Sequence, residues 1–206
     1  MISDAHPAIY LASASPRRRE LLPQVGVRHE VLRALPGEAE VDESVRPGED
    51  PQAYVQRVCL AKAAAGCARM RTRALPERAV LAADTTVALG ARILGKPADR
   101  AEAAQMLRAL SGRRHAVLTA VALSLGARTV QALSVSEVQF RELAEAEIIQ
   151  YLDSGEADDK AGAYAIQGRA GQFVAGLQGS YSGVMGLPLF ETAQLIEQLL
   201  STDTPA

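Results

Sequence analysis

"AIYLASASPRRRELLPQVG", Ala8 to Gly26, joins a short apolar run to a charged segment with helical spacing. Ala8 to Ala12 reads as a buried strand, Pro16 suits the first position of a helix, and Gly26 suits its end. A strand running straight into a helix points to an α/β fold. The same grammar continues outward. "LPGEAEVDESVRPGEDP", Leu35 to Pro51, is rich in Pro, Gly and acids and is expected to be a mobile loop, followed by a helix from Pro51 to Met70. "AVLAA" forms a second strand ending at Asp84. After Asp99 a helix places Met106, Leu107 and Leu110 on one side and stops at "SGRRH". "HAVLTAVALSL" and "RTVQALSVSEVQF" alternate about Gly126 as an antiparallel hairpin, so the sheet is mixed. "ELAEAEIIQYLDSG" is a further helix ending at Gly155, and a glycine-rich loop is expected from there to Pro188. The last helix puts Leu189, Ala193, Ile196 and Leu200 on one stripe facing the core. The expected architecture is a mixed twisted sheet flanked by helices, one domain over 1–206, with two lobes about a central cleft.

The 206 residues are enough to bury a real core. Hydrophobic residues make up 48%, charged residues 22%, and the formal net charge is −2, which disfavours disorder and a broad nucleic-acid face. Any anion site must therefore be local. No apolar run approaches the roughly 20 residues that span a bilayer, and no leader pattern opens the chain, so the expectation is a soluble, cytoplasmic protein without a membrane partner. Cys59 and Cys67 would lie about 12 Å apart along a helix, beyond the roughly 7 Å that a disulfide tolerates, and read as reduced, inert thiols. His6, His29 and His115 lack a second ligand at metal-site spacing and receive no role.

Three stretches carry chemistry. Ser15 stands where an N-cap belongs, and a helix start offers free N–H groups and partial positive charge to an anion. Arg17 and Arg18 add cations where the macrodipole is already positive, a tension that a phosphate would relieve; a solvated basic face is the alternative. "AADTTVALGARILGKP", Ala82 to Pro97, places Asp84 at a strand end, then Thr85, Thr86 and Lys96. Singly, these also read as a capping aspartate, two strand threonines and a solvated lysine. "DKAGAYAIQG", Asp159 to Gly168, brings backbone close to a cleft, and Gln167 carries the donor and acceptor that a base edge needs, or simply holds its loop.

Taken together, "SASPRR", "VDES", "LAKA", "AADTTV", "GKP", "DKAGAYAIQG" and "GSYSGVMGLPL", in this order across nearly the whole chain, resemble the Maf family of nucleoside triphosphate pyrophosphatases. "DKAGAYAIQG" is similar to the subgroup acting on dTTP and UTP. The resemblance implies a fold like that of inosine triphosphate pyrophosphatases, and hydrolysis between the α and β phosphates with a divalent metal, magnesium or manganese. It implies Asp84 as proton acceptor, and Arg17, Thr85 and Gln167 as residues of substrate choice. Phosphate contact is expected from Ser13, Ser15, Arg17, Arg18, Lys62 and Lys96, and metal ligation from Glu43 and Asp84. The implied partner is a nucleoside triphosphate, with a homodimer as a further expectation. The alternatives are the 7-methyl-GTP subgroup and a nucleotide-binding regulator of septum formation.

Overall fold

The computed structural model describes residues 7–38 and 40–200, so His6 lies outside the described residues. The opening strand β1 (Ile9–Leu11) is wholly buried and runs parallel to both neighbours, β2 (His29–Val31) and β3 (Val80–Leu89). β3 then pairs antiparallel with β5 (Arg114–Leu125), β5 with β6 (Arg128–Phe140), and β6 with β7 (Val174–Gln178). β4 (Arg92–Leu94) adds to the far end of β3, completing a seven-stranded mixed sheet of order β2-β1-β3-β5-β6-β7.

Alternation along β3 and β5 sorts the core onto two faces. Val80 and Ala82 of β3 join Leu118, Ala120 and Ala122 of β5 beneath helix α2 (Pro51–Thr72). Leu81 and Ala83 join Val121 and Leu123 beneath α1 (Pro16–Leu21) and the C-terminal helix α6 (Leu189–Leu200). α2 starts sharply because Asp50 Oδ1 accepts from Gln52 N at 2.8 Å and Ala53 N at 3.3 Å, with Pro51 next in line. Gly66 lets it press on the sheet: a Cβ there would stand 2.7 Å from Ala12 Cβ and from Val80 Cγ1. A third cluster gathers α3 (Arg100–Leu110), α4 (Glu145–Asp153) and the distal ends of the long strands, Val87, Val117, Val138 and Phe140. On the face of Leu81 and Ala83, β3 thus changes packing partners midway, at a joint between two of the three core clusters, while Ala88 stays with the α2 cluster.

Several expectations need correction. β3 does not stop at Asp84 but runs on to Leu89, because β5 pairs with it without interruption. The stretch from Gly155 to Pro188 is not an irregular loop: it holds β7 and the short helix α5 (Tyr181–Met185). The buried stripe of α6 is Thr192, Leu195, Ile196 and Leu199, with Leu189 and Leu200 at its margins. α1 spans six residues and continues as a 3₁₀ turn over Leu22–Val25, which accommodates Pro23. The described residues of the 35–50 loop form no helix or strand, but the loop is anchored on α2, Tyr54 Oη donating to Glu43 O at 2.9 Å and Arg57 Nη2 to Ser44 O at 2.9 Å. Cys59 and Cys67 are free, and burial pushes the Cys59 thiol up to about 12, as suits an inert thiol.

His115 is buried against Phe140 and Tyr164, its Nε2 2.9 Å from Tyr164 Oη. Burial lowers its pKa from 6.5 to about 4, so the native imidazole stays neutral where the unfolded one takes a proton. The contribution is complete above pH 6.5 and is lost as pH falls towards 4, about 3 kcal/mol in all. Thermal melts should show a falling midpoint across this window, and His115→Asn, though less stable throughout, should flatten the slope between pH 6.5 and 4.5. A slope unchanged in that variant would assign the effect to other groups.

Candidate functional site

The joint in β3 is also a gap in the sheet. On one edge β3 pairs with β5 from Val80 to Ala88. On the other, β1 covers Val80 and Leu81 and β4 covers Val87 to Leu89, which leaves Asp84, Thr85 and Thr86 between two strands. Strand alternation sends Asp84 towards α2 and Thr85 towards α1 and α5. The gap lets side chains from both faces act on one opening.

On the α2 side, Lys62 Nζ donates to Asp84 Oδ1 at 2.7 Å and lies 2.8 Å from Glu43 Oε1. Lys96, following β4, reaches Glu43 Oε2 at 3.7 Å. Two carboxylates from separate elements therefore meet on one ammonium. Burial raises the Glu43 carboxyl, but the hydrogen bond and charge of Lys62, with the charge of Lys96, outweigh it and hold Glu43 below its ordinary range. Tyr54, on the same side, is pushed up to about 12 by burial and by the Asp84 charge.

On the α1 side, the Arg18 guanidinium is held at three points: Nε donates to Gly186 O at 2.7 Å, Nη1 to Ser13 Oγ at 3.2 Å and Nη2 to Thr85 Oγ1 at 3.3 Å. Burial lowers its pKa, opposed by the charges of Asp84 and Glu43, so the two halves of the site feel each other. Arg17 is half-buried and lowered by burial and by the Arg18 charge; Lys160 is lowered by burial and by the Arg17 charge. Neither Arg17 nor Lys160 makes an ion pair among the described residues. Partly desolvated cations without ion-pair partners favour a polyanion. A recess of about 350 Å³ lined by Cys67, Met70, Leu75 and Ser124 holds none of these groups.

This geometry coincides with a family assignment. A family model described as "Maf-like protein" matches residues 8–199. The chain belongs to the Maf family. It is 58% identical over 193 residues to a protein of Aromatoleum aromaticum named dTTP/UTP pyrophosphatase, covering 92% of this chain and 94% of that one. A protein of the same name from Ralstonia nicotianae is 57% identical, covering 96% of each chain, and one from Nitrosomonas europaea is 53% identical, covering 96% and 97%. Among solved structures, the Staphylococcus aureus Ham1 protein aligns with a TM-score of 0.44 at 15% identity, over 65% of this chain and 72% of that one.

In this Maf-family chain the residues singled out from sequence fall into groups. Glu43, Lys62, Asp84 and Lys96 form one connected set, and Ser13, Arg18 and Thr85 another. Arg17 lies beside the second set. Ser15 occupies the N-cap position but its side chain caps nothing; its N–H donates to Ser13 Oγ at 3.2 Å. Thr86 points to the α2 side, buried, with its hydroxyl unpartnered. Gln167 is exposed, and among the described residues no side-chain hydrogen bond orients it, so it does not hold its loop. Thr85 is committed to Arg18 and to Thr119, whose Oγ1 lies 3.0 Å away. Sequence reasoning missed Lys160, Thr119 and Gly186. A hydroxyl within the apolar run "AVLTAVAL" was the available signal for Thr119, and a lone cation among small residues the one for Lys160.

Proposed function

We propose that this chain hydrolyses dTTP and UTP between the α and β phosphates, releasing the nucleoside monophosphate and pyrophosphate. The observation that carries the reading is the meeting of Lys62, Glu43 and Asp84 at the gap in β3, beside a guanidinium already anchored by protein acceptors. Identities of 53–58% over nearly full length to dTTP/UTP pyrophosphatases supply the substrate.

In this reading Arg17, Arg18, Lys62, Lys96 and Lys160 offset the triphosphate charge in a partly desolvated cleft, with Ser13 and Ser15 as neutral partners. Asp84 accepts the proton of the attacking water. Lys62 engages its Oδ1, leaving Oδ2 for that proton. The donor chemistry of Glu43 and Asp84, two hard carboxylates meeting on one cation, fits magnesium or manganese. The described residues contain no group of three or more His, Cys, Asp or Glu placed to hold an ion, so phosphate oxygens and water would complete its shell. A divalent ion held there would acidify water and screen phosphate charge. Lys62, which now spans both carboxylates, would turn towards the phosphates when they arrive.

Arg17, Thr85 and Gln167 govern substrate choice in this reading, Gln167 becoming oriented by the base itself. Gln167→Glu replaces the amide donor with an acceptor, so preference for UTP and dTTP over CTP should fall about 10-fold, checked by kcat/KM on each. Unchanged preference would remove Gln167 from base reading. The family model's span and the one continuous seven-stranded sheet support one domain. No helix among the described residues is long and apolar enough to cross a membrane, and the reading is of a cytoplasmic enzyme acting on free nucleotides, as a homodimer, without nucleic acid. The deciding assay incubates the protein and magnesium with UTP, dTTP, CTP and 7-methyl-GTP. Pyrophosphate from the first two is expected; orthophosphate alone, or turnover only of 7-methyl-GTP, would overturn the reading.

A further inference from the structure

The hydroxyl protons around Thr85 can be assigned from valence alone. Thr119 Oγ1 donates to Gly183 O at 2.8 Å, and a carbonyl oxygen can only accept. Thr119 has a single hydroxyl proton, so that contact uses it. In the 3.0 Å contact between Thr119 Oγ1 and Thr85 Oγ1, Thr85 must therefore be the donor. Thr85's proton is in turn used, and its oxygen faces Arg18 Nη2 as an acceptor, 3.3 Å away. The chain reads, in donor order, Arg18 to Thr85 to Thr119 to Gly183 O. Gly186 O, three residues on in the same turn, receives Arg18 Nε at 2.7 Å, so α5 and its end hold both termini of the relay.

A guanidinium carries five N–H groups, and the described residues engage one each of Nε, Nη1 and Nη2. One N–H on each Nη is left over. That is the set with which arginine grips a phosphate by two parallel hydrogen bonds.

We propose that Thr119, buried in β5 behind Thr85 and with no substrate contact of its own, is a positioning residue: by committing Thr85 as an acceptor it orients Arg18 with two N–H groups directed to phosphate. This deepens the activity stated above and rests on it only for the identity of the anion. If Thr119 acts solely through Thr85, its loss is invisible once Thr85 has lost its hydroxyl.

The test measures inorganic triphosphate binding by calorimetry, a readout that needs no turnover, on wild type, Thr119→Val, Thr119→Ser, Thr85→Val and the double Thr85→Val/Thr119→Val, with thermal melts alongside. Thr119→Val and Thr85→Val should each weaken affinity about 10-fold, the double variant no further, and Thr119→Ser about 2-fold at most. An additive loss of roughly 100-fold in the double variant, or no rescue by serine in a folded protein, overturns the proposal. Should Thr119→Val fail to fold, Thr119→Ala takes its place in the same cycle. A wild type that binds triphosphate yet releases no pyrophosphate from UTP would refute the activity, while the cycle still decides the role of Thr119.

Discussion

Asp84→Asn should lower turnover of UTP and dTTP by about 10²- to 10⁴-fold with the fold intact, the range expected for loss of a general base. The substitution keeps the shape of the side chain and the β3 backbone pairing with Ala120 of β5. An amide oxygen still accepts from Lys62, and Lys62 retains Glu43 at 2.8 Å, so no ammonium is stranded in the cleft. What disappears is the negative charge that accepts a proton, together with one of the two carboxylates suited to a divalent ion. Melting temperature should therefore shift by a few degrees at most while kcat collapses. Turnover close to that of wild type would exclude Asp84 from the chemistry.

Arg18→Lys should cost about 10²-fold in kcat/KM although the formal charge is unchanged. Lysine brings one point of charge where arginine brings a planar fork. An ammonium cannot meet Gly186 O, Ser13 Oγ and Thr85 Oγ1 from the positions that three separate nitrogens now occupy. Whichever acceptors it abandons lose charge-assisted bonds, typically about 1.5–3 kcal/mol each, and the paired donors for phosphate are lost as well. Triphosphate affinity should fall along with kcat/KM. Wild-type efficiency in Arg18→Lys would mean that charge alone matters and that the anchoring is incidental.

The legibility of this protein from its sequence follows the range of the interactions involved. The β5–β6 hairpin was readable because alternation and the Gly126 turn are local, and α3 because Asp99 caps it, accepting from Glu102 N at 2.8 Å, while Met106, Leu107 and Leu110 repeat on one side. β2 and β4 are not readable: each has three residues, too few to show a period, and each exists because the edge of another strand, β1 for β2 and β3 for β4, pairs with it. β7 hid among glycines for the same reason. Asp84 reads as the end of β3 because a carboxylate after an apolar run looks like a boundary, whereas continuous pairing with β5 carries the strand through it.

For the proposed site, sequence alone offered the candidates: Asp84, Lys96 and the arginines of α1 from the chemical character of their own stretches, and Glu43 and Lys62 only through the resemblance to the Maf family. Their arrangement was a tertiary matter. Adjacent residues on a strand must face opposite ways, so Asp84 and Thr85 would serve different surfaces in an unbroken sheet. Only the short reach of β1, distant in the chain, and the early end of β4 at Leu94, opposite Val87, open the gap where side chains of both faces meet, and that depends on where those strands cease to pair with β3.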